Sequence, residues 1–252
     1  MDEILLSEKE RIDDLEFRGL KLIQNENGFK FGVDAVLLSD FAKKLKKGSV
    51  VVDIGSGTGI ISILLCEKTN LKKIYGIEVQ EEVARLCEKN IKLNHLENKF
   101  EVLNINVKDV ESKFKKGEID VVVTNPPYKK EKTGLTSDDR VNLISRHEIE
   151  CNLEDVIEKS SFLLKDLGQF YMVHRAERLV DIMCLLRKYR LEPKVVRFVH
   201  SKPGEKPNLI LVKAVKYAKE YLKIEDPLYI YNADGKDYTD EIYNIYEKKK
   251  EK

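Results

Sequence analysis

The sequence has almost no net charge: 45 lysines and arginines stand against 44 aspartates and glutamates, a formal +1 over 252 residues. A dedicated duplex-binding protein carries a clear basic excess, so any contact with nucleic acid has to come from a local patch. No apolar run approaches the roughly 20 residues that span a bilayer. The acidic opening Met1-Asp2-Glu3 lacks the basic-then-apolar pattern of a signal peptide. Cysteine is scarce: Cys66, Cys87, Cys151 and Cys184 form no CxxC pair, and the four histidines form no HExxH. That removes the common zinc and redox patterns and leaves reduced core thiols as the expectation. Internal repeats, low-complexity blocks and Pro/Ser-rich linkers are missing too. The expectation is a soluble cytoplasmic chain without metal, membrane or obligate protein partner.

What is present reads as one α/β chain, with 42% apolar residues to fill a core. Residues 1–48 form a lead-in or lid, with 34–44 helical; residues 49–252 form the domain proper. Strands are expected at 50–54, 73–78, 100–103, 119–124, 168–174, 194–200 and 209–215. Between them lie helical patterns, such as Val83, Leu86, Cys87 and Ile91 on one face. Helix 153–165 turns Val156, Ile157, Ser160, Leu163 and Leu164 inward in the same way. Fully apolar strands such as Val121-Val122-Val123 suit a parallel sheet covered on both sides. The alternation predicts a doubly wound, mostly parallel, seven-stranded sheet. The stretch Ser201 to Asn208 has no helical pattern, so the last two strands form a hairpin. The final one then runs antiparallel at or near the sheet edge. The tail from 226, with Asp234-Gly235 as a turn, packs on the outside.

Asp53-Ile54-Gly55-Ser56-Gly57-Thr58-Gly59 follows a strand and opens a helix. Glycines there let the backbone turn sharply and approach a ligand. The spacing is G-x-G-x-G, with Ile60 where a dinucleotide fingerprint has its third glycine, and no lysine follows to make a P-loop. Glu78 ends the next strand, where a carboxylate can accept from both hydroxyls of a ribose. S-adenosylmethionine carries an ammonium and a sulfonium but no phosphate, so a pocket offering Asp53 and Glu78 suits it. An NAD-type site is the alternative, and a turn that binds nothing is the bland one.

The strand 119–124 runs into Asn125-Pro126-Pro127-Tyr128, at the end where open α/β sheets bind ligands. An aryl amine is a poor nucleophile because its lone pair is delocalised into the ring. The Asn125 side-chain oxygen and the Pro126 carbonyl can each accept one amine hydrogen, which turns the lone pair toward a methyl donor. Two prolines make a stiff wall without donors, and Tyr128 can stack on a flat base. Catalysis then comes from positioning and electrostatics, with no covalent nucleophile. Asn-Pro-Pro is also turn chemistry anywhere.

With these motifs in place, the sequence resembles the class I methyltransferases of the small methyltransferase domain group. Within it, the sequence is similar to the bacterial tRNA1(Val) adenine-N6-methyltransferases. The likeness includes Phe29-Lys30-Phe31-Gly32-Val33-Asp34, the glycine loop, the Asn-Pro-Pro-Tyr turn, Arg146-His147-Glu148 and the stretch from His174 to Ile182. It implies a Rossmann-like sheet, S-adenosylmethionine as cofactor and methyl transfer to an exocyclic amine, adenine N6 in a tRNA anticodon loop. Asp53, Gly55, Gly57 and Gly59 would line the methionine end and Glu78 the ribose, with Gly32 and Asp34 closing over the cofactor. Asn125, Pro126, Pro127 and Tyr128 would hold the target. The sequence departs from the group at Asn106, where an aspartate usually meets the cofactor's adenine; Asp109 is the other candidate. It departs again at Val33, where threonine is common.

The Asn-Pro-Pro-Tyr turn is shared by methylators of rRNA guanine and of protein glutamine, and a non-catalytic RNA-binding protein on this fold is the alternative of another class. Lys129, Lys130, Lys132, Arg146 and His147 are candidate RNA contacts, each readable also as a solvated or capping residue. His174 ends a strand on the ligand side, either edging the pocket or structural. An unpaired loop offers its base without the few kcal/mol that flipping costs, which favours a loop substrate.

Overall fold

The computed structural model describes residues 6–7, 9–25, 32–128 and 152–248. Its centre is a sheet of short apolar strands: β3 (Val50–Ile54), β4 (Lys73–Ile77), β5 (Phe100–Leu103), β6 (Ile119–Thr124), β7 (Leu164–Arg175), β8 (Leu191–His200) and β9 (Pro207–Lys216). Ahead of them stand β1 (Glu10–Asp14) and β2 (Lys21–Asn25), an antiparallel hairpin of their own. Two-residue strands β10 (Lys223–Ile224) and β11 (Leu228–Tyr229) extend the far edge. The sheet order is β10-β8-β9-β7-β6-β3-β4-β5, with β11 also on β8. β3, β4, β5, β6 and β7 pair in parallel, and β9 is antiparallel to both β7 and β8.

All seven expected strands are present, and the 201–208 hairpin joins β8 to β9 as expected. The position of β9 differs: it is inserted between β7 and β8, so β8 is the outer strand and carries β10 and β11. A hairpin pattern fixes antiparallel pairing but not which arm faces the existing sheet. Here the more buried arm goes inside, with Leu209, Ile210, Leu211 and Val212 all buried. β7 is longer than expected at the expense of the helix expected at 153–165, which ends at Leu163: Leu164 opens the strand and pairs with Ile119, ahead of an irregularity after which Val121 pairs Gln169.

Six α-helices accompany the described strands: α1 (Val33–Phe41), α2 (Ile60–Lys68), α3 (Glu81–Leu93), α4 (Leu153–Leu163), α5 (Leu179–Lys188) and α6 (Asp240–Ile245). Alternation along each strand sends Val51, Ile74, Val121, Val123 and Tyr171 to one core with α1, α2 and α3. Val52, Ile54, Ile77, Val122 and Met172 go to a second core with α4 and α5. The tail does more than lie outside, since Leu228, Ile242 and Ile245 are buried in the first core. The lead-in joins that core as well, through Leu15, Phe17, Leu20 and Leu22. Among the described residues no helix is long and apolar enough to cross a membrane.

One buried polar residue ties three parts together. Asn90, on α3 and fully buried, accepts from the Ile23 N–H at 2.6 Å and donates to the Ile23 carbonyl at 3.1 Å and the Thr58 carbonyl at 3.0 Å. It thus bonds the hairpin and the glycine loop to one helix. Asn90→Ala strands buried backbone groups at both, which should cost about 1–3 kcal/mol. Urea denaturation measures this, and a loss below about 0.5 kcal/mol would show that the tie is unimportant.

Candidate active site

The chain reverses direction across the sheet between β3 and β6: β4 and β5 lie to one side of β3, β6 and β7 to the other. At such a switch the carboxyl ends of neighbouring strands splay their loops apart and leave a crevice. Ile54 pairs with Ile77 and with Thr124, and Thr124 pairs with Met172. Gly55, Glu78 and Asn125 therefore each begin one residue beyond the same sheet level, on strands about 4.8 Å apart. The Thr124 hydroxyl donates to the Ile54 carbonyl at 2.9 Å and locks the two key strand ends together.

On the β3 side the glycine loop turns through Gly55 and Gly57, with φ of +72° and +56°. A Cβ at either would stand in open space. The turn thus demands glycine for its conformation, and its outer surface is a cradle free of protein atoms. Gly59 shares the left-handed conformation, with φ of +90°, and adds a packing demand, because a Cβ there would come within 2.7 Å of the Cys87 Sγ on α3. Glu78 is almost buried, accepting from the Gly57 N–H at 3.1 Å and the Gln80 N–H at 2.9 Å. It holds the loop, and a carboxylate with about four lone-pair sites retains capacity for a ligand.

Asp53 is fully buried. One of its oxygens accepts from the Ser62 hydroxyl at 2.8 Å, and Oδ1 has no hydrogen-bond partner among the described residues. Burial pushes its carboxyl up to about 7; the Ser62 hydrogen bond opposes this and the negative Glu78 adds to it. An open glycine cradle, a partnerless carboxylate oxygen and a second carboxylate, with no basic residue in the loop, fit a cationic cofactor without phosphates. S-adenosylmethionine has that chemistry.

Asn106, read from the sequence as the candidate contact to the cofactor's adenine, lies just past the end of β5. Its side-chain oxygen accepts from the Lys108 N–H at 2.9 Å and caps the 3-10 turn Val107–Ser112. Asp109 sits exposed in that same turn. Asn104, which the sequence reading passed over, donates to the Glu78 and Val79 carbonyls at 2.8 and 3.0 Å and braces the end of β4.

On the β6 side Asn125 is half-buried, Pro126 buried and Pro127 exposed. Asp34, 8% exposed in the first turn of α1, reaches over from the lead-in. Its Oδ2 accepts from the Asn125 side-chain amide at 3.2 Å. The Tyr128 hydroxyl lies 2.7 Å from that oxygen and 2.7 Å from the Asn125 Oδ1. Burial, and then the negative Asp34, push the Tyr128 hydroxyl well above its ordinary pKa range. The Tyr128 ring is held from β7: Arg175 lies over it at 5.5 Å, and the His174 ring meets it at 5.3 Å and 61°. His174 is fully buried, and its Nδ1 accepts from the Arg175 N–H at 2.8 Å. The hydrogen is then on Nε2, which has no partner among the described residues. Burial first, then the positive Arg178 and Arg175, push its pKa down to about 4, so it is neutral near pH 7.

Beside this cradle opens a cavity of about 270 Å³. Gly32, Asp34, Tyr128 and Arg175 line one side; Val199, His200, Asn208, Leu209 and Ile230 line the other. The structure thus brings Gly32, Asp34, Asn125 and Tyr128 into one cluster, one strand away from the glycine loop. Lys129, Lys130, Lys132, Arg146 and His147 lie outside the described residues.

The chain is similar to several known proteins. A tRNA1(Val) (adenine(37)-N6)-methyltransferase of Porphyromonas gingivalis is 28% identical over 204 residues, spanning 79% of each chain. The protein of that name from Flavobacterium johnsoniae is 24% identical over 233 residues, 90% of this chain and 98% of its own. A predicted O-methyltransferase from Agrobacterium tumefaciens has a TM-score of 0.69 at 20% identity, over 85% of this chain and 95% of that one. The tRNA m1G37 methyltransferase of M. jannaschii has a TM-score of 0.61 at 21% identity, over 85% and 59%. Those two structures differ by name in the atom they methylate, so they speak to the fold alone. Residues 25–188, which contain both the glycine loop and the Asn-Pro-Pro-Tyr turn, match the methyltransferase small domain; the chain belongs to that family and is an S-adenosylmethionine-dependent methyltransferase.

Proposed function

We propose that this methyltransferase transfers a methyl group to the exocyclic N6 amine of an adenine in the anticodon loop of a tRNA. The observation that carries the proposal is the Asn125–Pro126 acceptor pair, one strand from the glycine cradle and in register with it. Relatives named for adenine-N6 methylation of tRNA over most of their length support the choice of substrate.

S-adenosylmethionine supplies an electrophilic methyl on a sulfonium. The chain's own residues do the rest. Gly55 and Gly57 leave room for the cofactor, Asp53 and Glu78 offset its positive charge, and Glu78 also keeps the loop in shape. The Asn125 oxygen and the Pro126 carbonyl accept the two amine hydrogens and direct the nitrogen lone pair. Pro126 and Pro127 fix their own φ and so stiffen the backbone that carries both acceptors. Tyr128, fixed by Asp34, His174 and Arg175, offers its remaining ring surface to the base. The neighbouring cavity, with an apolar floor of Val199, Leu209 and Ile230 and the Arg175 cation at its rim, suits a nucleotide with its phosphate.

Labelled S-adenosylmethionine and unmodified total tRNA should give label in N6-methyladenosine, read by nucleoside mass spectrometry. Label only in methylguanosine or in protein would overturn the adenine assignment. Asn125→Ala should lower turnover on the order of 10²–10³-fold, the scale of losing one preorganised hydrogen-bonding group. Arg175→Ala should weaken RNA binding and reduce its dependence on log salt by about 1, with cofactor affinity intact. An unchanged salt slope would remove Arg175 from the interface.

Asp53 carries a pH signature. With its pKa raised to about 7, burial of the ionised form costs stability, so its contribution to folding is full below the ordinary Asp range and is lost as pH rises through about 7. A cationic ligand favours the carboxylate. Cofactor affinity, measured by calorimetry, should therefore climb between about pH 6 and 8 and level off above, while Asp53→Asn should flatten that rise. A wild-type affinity constant across this range would rule the coupling out.

A further inference from the structure

We infer that Asp34 is a positioning residue: it fixes which end of the Asn125 amide faces the target amine. The inference rests on the proposed function, because it concerns the acceptor that function uses. An asparagine amide has a donor end and an acceptor end of nearly equal shape, and only its neighbours decide which way it points. A half-buried amide at the end of a strand with no such neighbour would populate both orientations. In the wrong one it would present N–H groups to an amine that needs an acceptor.

Asp34 removes that ambiguity. As a carboxylate it has only acceptors, and its Oδ2 lies 3.2 Å from the Asn125 Nδ2. With the amide this way round, the three short contacts of the cluster share two hydrogens, and the one nearest the charged carboxylate on the amide side is an N–H. An amide N–H points at the carboxylate, and the single Tyr128 hydroxyl hydrogen lies between the Asp34 and Asn125 oxygens, 2.7 Å from each. With the amide reversed, an N–H would reach the neutral Tyr128 oxygen, but the amide oxygen would face the charged carboxylate at 3.2 Å, and in a poorly solvated place that repulsion outweighs the gain. Asn125 Oδ1 is thereby turned outward from Asp34, and its second lone pair remains for an amine hydrogen.

The backbone before Asp34 is shaped for this task. A Cβ on Gly32 would come within 2.5 Å of the Asp34 Oδ1, so only glycine leaves the carboxylate where it is. The φ of Gly32 is −96°, which any residue adopts, so the requirement is steric and specific to that carboxylate. Asp34 also makes no contact with the glycine loop, Asp53 or Glu78 in any hydrogen bond the structure shows among the described residues. Its loss should therefore spare cofactor affinity.

The test is a reciprocal exchange. Asp34→Asn should lower kcat on the order of 10²-fold, with KM for RNA and Kd for S-adenosylmethionine within about threefold of wild type, because the amide can now reverse. Adding Asn125→Asp to that variant puts a symmetric acceptor at 125 and a donor at 34. The pair should recover kcat at least tenfold over Asp34→Asn. A purely structural Asp34 would show no such recovery. Recovery below about threefold, or wild-type kcat in Asp34→Asn, would overturn the inference. A readout without turnover separates this from failure of the proposed function. In ¹⁵N-labelled wild type, the Asn125 side-chain NH₂ pair, assigned by its disappearance in Asn125→Ala, should exchange slowly. It should also shift in Asp34→Asn. A fast-exchanging, unshifted pair refutes the orientation even if no RNA is methylated.

Discussion

The register between β3 and β6 is the constraint on which the site depends. Ile54 pairs with Thr124, and the next residue on each strand leaves the sheet, one into the glycine turn and the other into the proline turn. Side chains alternate along a strand, so a slip of one residue in β6 would send Asn125 to the opposite face, away from α1 and Asp34. The slip is opposed on both faces at once. Val121 and Val123 fill one core and Val122 fills the other, all essentially without solvent contact. The Thr124 hydroxyl on the Ile54 carbonyl adds a polar lock at the level where the two turns diverge. Apolar packing that looks generic thus sets the spacing between two chemically specific turns.

The electrostatics of the site follow from what is absent around it. Asp53 and Glu78 lie nearly or fully buried at neighbouring strand ends, yet the glycine loop brings no lysine or arginine to neutralise them. Glu78 is stabilised by the Gly57 and Gln80 backbone N–H groups, while Asp53 has the Ser62 hydroxyl and one oxygen without a partner. Burial first, and then the neighbouring negative Glu78, push the Asp53 carboxyl up to about 7, so the pair is an unfavourable arrangement on its own. Such an arrangement persists in a fold when something positively charged relieves it. The same reasoning runs in reverse at His174, which burial keeps neutral, with the positive Arg178 and Arg175 adding to the effect.

The sequence was legible where periodicity and turn chemistry speak locally. The seven central strands, the glycine turn, the proline turn and the inward face of α4 all follow from spacing alone. Other features depended on contacts between distant segments. The β1–β2 hairpin carries short mixed runs, Glu10–Asp14 among them, whose strand character comes from pairing and from Asn90 on a helix some 67 residues away. The insertion of β9 between β7 and β8 is a choice between two faces of one hairpin. Asp34 was read from the sequence as closing over the cofactor, whereas its hydrogen-bond partners here, Asn125 and Tyr128, are 91 and 94 residues further on, and no local pattern announces them. Asn104 and Asn106 show the same limit: two asparagines in one loop look alike in sequence, and only the fold shows that one braces β4 while the other caps a turn.

The cradle draws on three separate segments, and this bears on how it works. Pro126 and Pro127 stiffen the backbone, but they do not orient the Asn125 amide or the Tyr128 ring. Those come from α1, through Asp34, and from the end of β7, through His174 and Arg175. α1 is itself seated on β7, where Phe41 meets Tyr171 edge-on at 5.8 Å. The residues that orient the acceptor therefore stand on one rigid block formed by a helix and a strand, and the acceptor stands on the next strand over. Transfer to a weakly nucleophilic amine gains most from acceptors that are already in place, because a group that must first rotate gives back part of the interaction it makes. The lead-in matters to the chemistry for that reason: it supplies the carboxylate that an isolated Asn-Pro-Pro-Tyr turn would lack.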